Sequence, residues 1–144
     1  MDTIEKTKIT VEATINAPID KVWEYWTKPE HITQWYQASE DWHAPYAEND
    51  LQENRKFKTT MAAKDGSLRF DFEGVYTKLQ PHKLIEYTLN DGRQVRILFS
   101  GDDSQTKVIE TFEAEDTHPL EMQQSGWQAI LNSFKNYAEK NNTL

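Results

Sequence analysis

From residue 57 to residue 114 the chain alternates apolar and polar side chains in one segment after another, and after residue 119 the rhythm lengthens. A period of two buries one face of a strand, whereas a period near 3.6 buries one stripe of a helix. Phe57 to Ala63, Leu68-Phe70-Phe72, Ile85-Tyr87-Leu89, Val95-Ile97-Phe99 and Val108 to Ala114 therefore read as strands. Asp65-Gly66 and Asp91-Gly92 read as tight hairpin turns, because such turns need positive φ. Pro81 and Gly101-Asp102-Asp103-Ser104 mark two more turns. At Gly74 the apolar phase moves to Val75, which is the pattern of a β-bulge.

The flanks complete the plan. Ile9, Val11, Ala13 and Ile15 alternate as a first strand. Pro18 suits a first helical position, and Ile19, Val22, Trp23 and Trp26 then fall on one helical face. Pro29 to Trp35 forms a second short helix, and Trp42 to Glu48 is weakly extended. At the end, Thr117 or His118 caps a long helix opened by Pro119, with an apolar stripe of Leu120, Trp127, Ile130, Leu131, Phe134, Tyr137 and Ala138. Gly126 lies inside this helix, where it costs ~1 kcal/mol against Ala. It implies close approach by the sheet or by a ligand, with packing against the sheet the preferred expectation. The order β-α-α-β-β-β-β-β-β-α predicts an α+β fold. About seven antiparallel strands coil into a concave sheet, and the last helix lies across the concavity.

With 144 residues the chain reads as one domain across 1–144, its ordered part running from about residue 5 to 140 and Asn141 to Leu144 forming a frayed tail. Sixteen Lys and Arg against 24 Asp and Glu give a net charge of −8, which argues against a nucleic-acid partner. No apolar run approaches a membrane span, and Met1 to Lys6 lacks a signal-peptide core, so neither membrane insertion nor export is expected. Cysteine is absent, which removes disulfides, thiol catalysis and thiolate metal sites and fits a cytoplasmic location. His31, His43, His82 and His118 are isolated and read as surface or capping residues, and no phosphate-binding glycine loop or nucleophile elbow occurs. No cofactor or metal is expected, and exposed strand edges permit a monomer or a homodimer.

Aliphatic side chains are scarce, but five Trp, six Tyr and six Phe supply large apolar areas. Trp23 and Trp26 read as plain core. Trp35, Tyr36, Phe70, Phe72, Tyr87 and Trp127, with Leu131, are the candidate lining of a pocket in which rings stack on a flat apolar ligand. Glu110 shares the phase of Val108 and Phe112, while Ile109 and Thr111 carry the opposite one. In a cavity, such a carboxylate would have a raised pKa and could serve as general acid or base, with Arg96 or Arg69 as partner. The preferred expectation is that Glu110 faces solvent opposite a cross-strand cation, and the same holds for Glu86.

Four separated segments carry a family resemblance: Ile15 to Trp23, Pro29 to Tyr36, Phe72 to Pro81, and Ser125-Gly126-Trp127 with Leu131. They resemble the START/Bet v 1-like (SRPBCC) superfamily, and within it the branch similar to the C-terminal domain of the activator of heat-shock-protein-90 ATPase. The resemblance implies a helix-grip fold around a hydrophobic cavity, and an apolar small molecule (aromatic, acyl or polyketide-like) as partner. It also implies two alternatives: a chaperone-ATPase-regulating interaction domain, and a cyclase or hydrolase using a cavity carboxylate. The activator has a further N-terminal domain for which 144 residues leave no room, so the chaperone alternative ranks below ligand binding. Where many relatives carry Gly-Gly before the strand of Phe57, this chain has Glu53-Asn54, and Asn tolerates the left-handed conformation such a turn requires.

Overall fold

The computed structural model describes residues 7–141. Strand β1 (Lys8–Ile15) leads into helices α1 (Ile19–Thr27) and α2 (Pro29–Trp35). Six strands follow: β2 (Trp42–Asn49), β3 (Lys56–Ala63), β4 (Arg69–Gln80), β5 (Leu84–Leu89), β6 (Gln94–Gly101) and β7 (Thr106–Glu113). Helix α3 (Leu120–Asn141) closes the chain. The seven strands form one antiparallel sheet in the order β1-β7-β6-β5-β4-β3-β2, so β1 crosses over to pair with β7. All consecutive strands from β2 to β7 are neighbours, as short connections favour. The architecture is the α+β order read from the sequence. Of the expected frayed tail, Asn141 is the last residue of α3, and residues 142–144 lie outside the described range.

The hairpin turns follow from backbone chemistry. Gly66 and Gly92 adopt φ of 81° and 94°, and Asn54 takes φ 70°. Thus Asn54 occupies the left-handed position in the Glu53-Asn54 turn without glycine. Gly74 departs from expectation. The strand keeps its phase there, with Phe72, Gly74 and Tyr76 on the concave face, and the irregularity lies between Tyr76 and Lys78. Glycine is needed at 74 for space: a Cβ would lie 2.5 Å from the Thr88 carbonyl oxygen and 3.2 Å from the Phe57 ring. The missing side chain makes the alternation look shifted.

The helix starts differ from expectation in detail. Pro18 is the N-cap of α1, one residue earlier than a first helical position, and its carbonyl accepts from the Val22 amide. At α3 the helical bonds begin on the Pro119 carbonyl, and neither Thr117 nor His118 supplies a side-chain cap among the described residues. Gln123 ties this end together. Its amide donates to the carbonyls of His118 (2.8 Å) and Glu115 (3.1 Å), and its oxygen accepts from the Glu115 amide. A side chain inside the first turn thus satisfies the loop that enters it.

Two faces of α3 have separate duties. Leu131, Phe134 and Ala138 have no exposed surface and pack into the core with Val11, Ile15, Val22 and Val108. Trp35 joins them, crossing Phe134 at a ring separation of 4.8 Å, while its indole N–H donates to the Tyr25 carbonyl. Burial at ~25 cal/mol per Å² stabilises this cluster. The second face of α3 carries Met122, Gly126 and Ile130 at four-residue spacing, with Gln123 and Trp127 beside them, and it meets a hollow.

Candidate functional site

The hollow lies between α3, the loop after α2 and the concave face of strands β3, β4 and β7. Its volume is about 390 Å³, within the usual range for small-molecule sites. A smaller chamber of about 40 Å³ lies deeper, and Trp26, Trp35, Tyr36, Phe72 and Glu110 are walls of both. Phe72 projects between the two, near Trp127 (5.9 Å, edge to face) and near Tyr36 (5.9 Å). Trp127 stacks flat on Phe112 at 3.8 Å and 9° and borders the hollow. At the mouth, Phe70 is 49% exposed and crosses Trp42 at 5.9 Å, and Met122 is 58% exposed.

Gly126 lies in the roof of the hollow. It is helical, and a Cβ at this position would meet nothing within 4 Å. The preferred expectation of close packing by the sheet is therefore corrected: the glycine opens onto empty space. Its cost in helix stability is repaid by no contact within the protein.

Glu110 is the polar group of the site, and here the structure overturns the expected solvent orientation. It is 6% exposed, shares the inward phase of β7 with Val108 and Phe112, and lines the hollow. Its register neighbours are Val11 on β1 and Ile97 on β6, so no cross-strand cation faces it. Arg96 has the opposite phase and donates to Glu86 at 2.5 Å on the outer face, as the expectation for Glu86 required. Arg69 is exposed at the start of β4. Among the described residues no cation lies within ion-pair distance of Glu110. Burial alone pushes its carboxyl up to about 8.

Three tyrosines surround the deeper chamber. Tyr36 and Tyr87 are raised well above the ordinary phenol value, first by burial and then by nearby charges, with Glu110 contributing to both. Tyr76 is raised by burial and donates to the Asn49 side-chain oxygen, whose amide in turn donates to the Thr27 carbonyl. All three hydroxyls stay protonated at neutral pH. On the walls of the main hollow, Arg93 donates to Asp91 at 2.8 Å, and His118 meets Glu115 at 3.0 Å.

Of the seven candidate lining residues, Trp35, Tyr36, Phe70, Phe72 and Trp127 border the main hollow, and Tyr87 borders the deeper chamber. Leu131 packs in the core away from both. Trp26, read as plain core, packs on Phe134 at 4.7 Å and also reaches the hollow wall. The sequence reading missed Met61, Arg93, Met122, Gln123 and Ile130. The spacing of Met122, Gly126 and Ile130 was the available signal, one polar-flanked row beside the buried stripe. Of the histidines, His118 stands at the hollow, and His31 departs from a surface role by lying against Tyr25 with its Nδ1 2.6 Å from the Tyr137 hydroxyl. No cluster of three metal-ligating side chains occurs among the described residues. No helix there is long and apolar enough to cross a membrane.

Solved structures share this fold. A solution structure of an AHSA1-like protein from Aeromonas hydrophila superimposes with a TM-score of 0.87 at 42% identity, over 93% of each chain. A protein from Cytophaga hutchinsonii, also solved in solution, is 58% identical over 93% of each chain with a TM-score of 0.79. A crystal structure from Nitrosomonas europaea shares the fold at 15% identity, with a TM-score of 0.78 and coverage of 92% and 94%. No curated protein matches the chain. Residues 16–139 match the family described as Activator of Hsp90 ATPase homolog 1-like protein, and the chain belongs to that family, within the START/Bet v 1-like superfamily.

Proposed function

We propose that this protein is a small-molecule binding module that holds an apolar ligand in the hollow beneath α3. The observation that carries this reading is the roof at Gly126: a helix accepts a residue that weakens it, and the space so kept open has no protein occupant within 4 Å. Trp127, Phe72 and Trp35 offer π surfaces around it. An apolar cavity of about 150 Å³ accommodates one benzene. On that scale a hollow of about 390 Å³ suits a body of two or three rings. Fatty acids, flavonoids and polyketides form the test panel, followed by tryptophan emission and amide NMR shifts. Shifts centred on Gly126, Trp127 and Phe72 support the reading. A whole panel that leaves those resonances unmoved refutes it.

A second reading is favoured by Glu110. A carboxyl held near 8 inside a hollow is suited to general acid or base work on a bound substrate, as in a cyclase or hydrolase. Loss of turnover in Glu110→Gln with ligand binding retained would separate catalysis from binding. The family's name also carries a chaperone reading. Stimulation of the chaperone's ATPase by the purified chain, undiminished when the hollow is filled by substitution at Gly126, would replace the ligand reading.

A further inference from the structure

We infer that the ligand of this hollow carries a protonated amine on its ring body, and that the amine seats against Glu110. This inference rests on the ligand-binding reading and names the class of ligand. Every other charged group on the walls of the main hollow has a counter-group: Arg93 has Asp91, and Glu115 has His118. Glu110 alone has none among the described residues, and it is more than nine-tenths buried with its side chain in the hollow. An apolar ligand body leaves this carboxyl without a polar partner. A cation supplies the missing partner.

The surroundings of Glu110 suit a cation. Trp35, Tyr36 and Phe72 share the wall with it, and ring faces attract ammonium groups. The net charge of −8 draws cations toward the protein from a distance. The tyrosines facing Glu110 do not titrate in competition with it, and the charged groups around it are engaged elsewhere. Tyr36 at the C-cap of α2, Tyr76 from β4 and Tyr87 from β5 are all raised and stay neutral. Arg93, from the β5–β6 turn, is held by Asp91. Glu48 from β2, a wall of the deeper chamber, accepts from the Tyr46 hydroxyl at 2.7 Å. His118 is engaged by Glu115 at the mouth.

In the empty protein at pH 7 a proton neutralises Glu110, since its carboxyl titrates near 8. An arriving ammonium takes over that role, and the carboxyl proton leaves to solvent. Binding of a cation therefore releases about 0.9 proton at pH 7, while binding of a neutral analogue releases none.

Tryptamine and its neutral counterpart tryptophol are the probes, measured by calorimetry in buffers of different ionisation enthalpy. Tryptamine affinity is expected to rise about tenfold from pH 6 to 7, about fivefold from 7 to 8, and then to level off, while tryptophol affinity stays flat. At pH 8.5 tryptamine is expected to lead by at least tenfold, and Glu110→Gln to erase that lead and the proton release together. Proton release in the unmodified protein is decisive even if the variant folds poorly. Equal affinities, or tryptamine binding without proton release, overturn the amine assignment and leave the cavity reading standing. Failure of both probes to shift Gly126 and Trp127 resonances overturns the amine assignment, and the cavity reading falls with it only when the whole fatty-acid, flavonoid and polyketide panel fails as well.

Discussion

Adding a methyl group at Gly126 is expected to make the protein more stable. Three features of the structure set the size of the effect. The residue is in the seventh position of a 22-residue helix, its φ is not positive, and an added Cβ meets no atom within 4 Å. No steric cost offsets the helix propensity of Ala over Gly, which is about 0.8–1 kcal/mol. In a domain of this size that corresponds to a rise of about 2–4 °C in Tm. Urea denaturation of Gly126→Ala, followed by circular dichroism, should show a higher midpoint with an unchanged slope. Gly126→Leu carries the logic further: it remains folded, because its side chain enters free space, and it abolishes ligand uptake. A Gly126→Ala protein less stable than the parent would refute the reasoning, because it would mean that the backbone at this turn of α3 needs the glycine for itself.

Other perturbations follow from the same packing. Glu110 is protonated in folded and unfolded chains below about pH 4.5; between 4.5 and about 8 the folded chain keeps a proton the unfolded chain has lost. Stability contributed this way falls as pH rises through that window, by an upper bound of ~5 kcal/mol. Chemical denaturation should therefore show Glu110→Gln gaining a few kcal/mol over the parent at pH 8 and nothing at pH 4.5. Gly74→Ala drives a methyl group into the Thr88 carbonyl and should cost about 2–3 kcal/mol by urea titration. Trp127→Ala removes the stack on Phe112 and should cost about 3 kcal/mol while quenching any ligand-induced emission change.

Strand phases, the two Asp-Gly hairpins and the helix order were legible because each is written in local chemistry: alternation, positive-φ residues and proline stops. Glu110 was misjudged for a physical reason. A charge between two inward apolar residues costs free energy when buried, so local reasoning sends it to solvent; only the sheet register, which gives Arg96 to Glu86 and leaves Val11 and Ile97 beside Glu110, reveals its isolation. Gly74 misled because a glycine on the inner face looks like a gap in the pattern. The lining of the hollow was only half legible. Leu131 and Ile130 are adjacent in one apolar stripe, yet one enters the core and the other the hollow, and that division depends on how α3 sits on the sheet.

The central claim is that α3 spans the sheet over a space that accepts a ligand. Isotope-filtered nuclear Overhauser measurements on the tightest ligand of the panel test it most directly. Contacts from ligand protons to the Gly126 Hα, the Trp127 indole and the Phe72 ring are the expected result. Contacts confined to outer-face residues such as Leu98, or none at all at millimolar ligand, would contradict it.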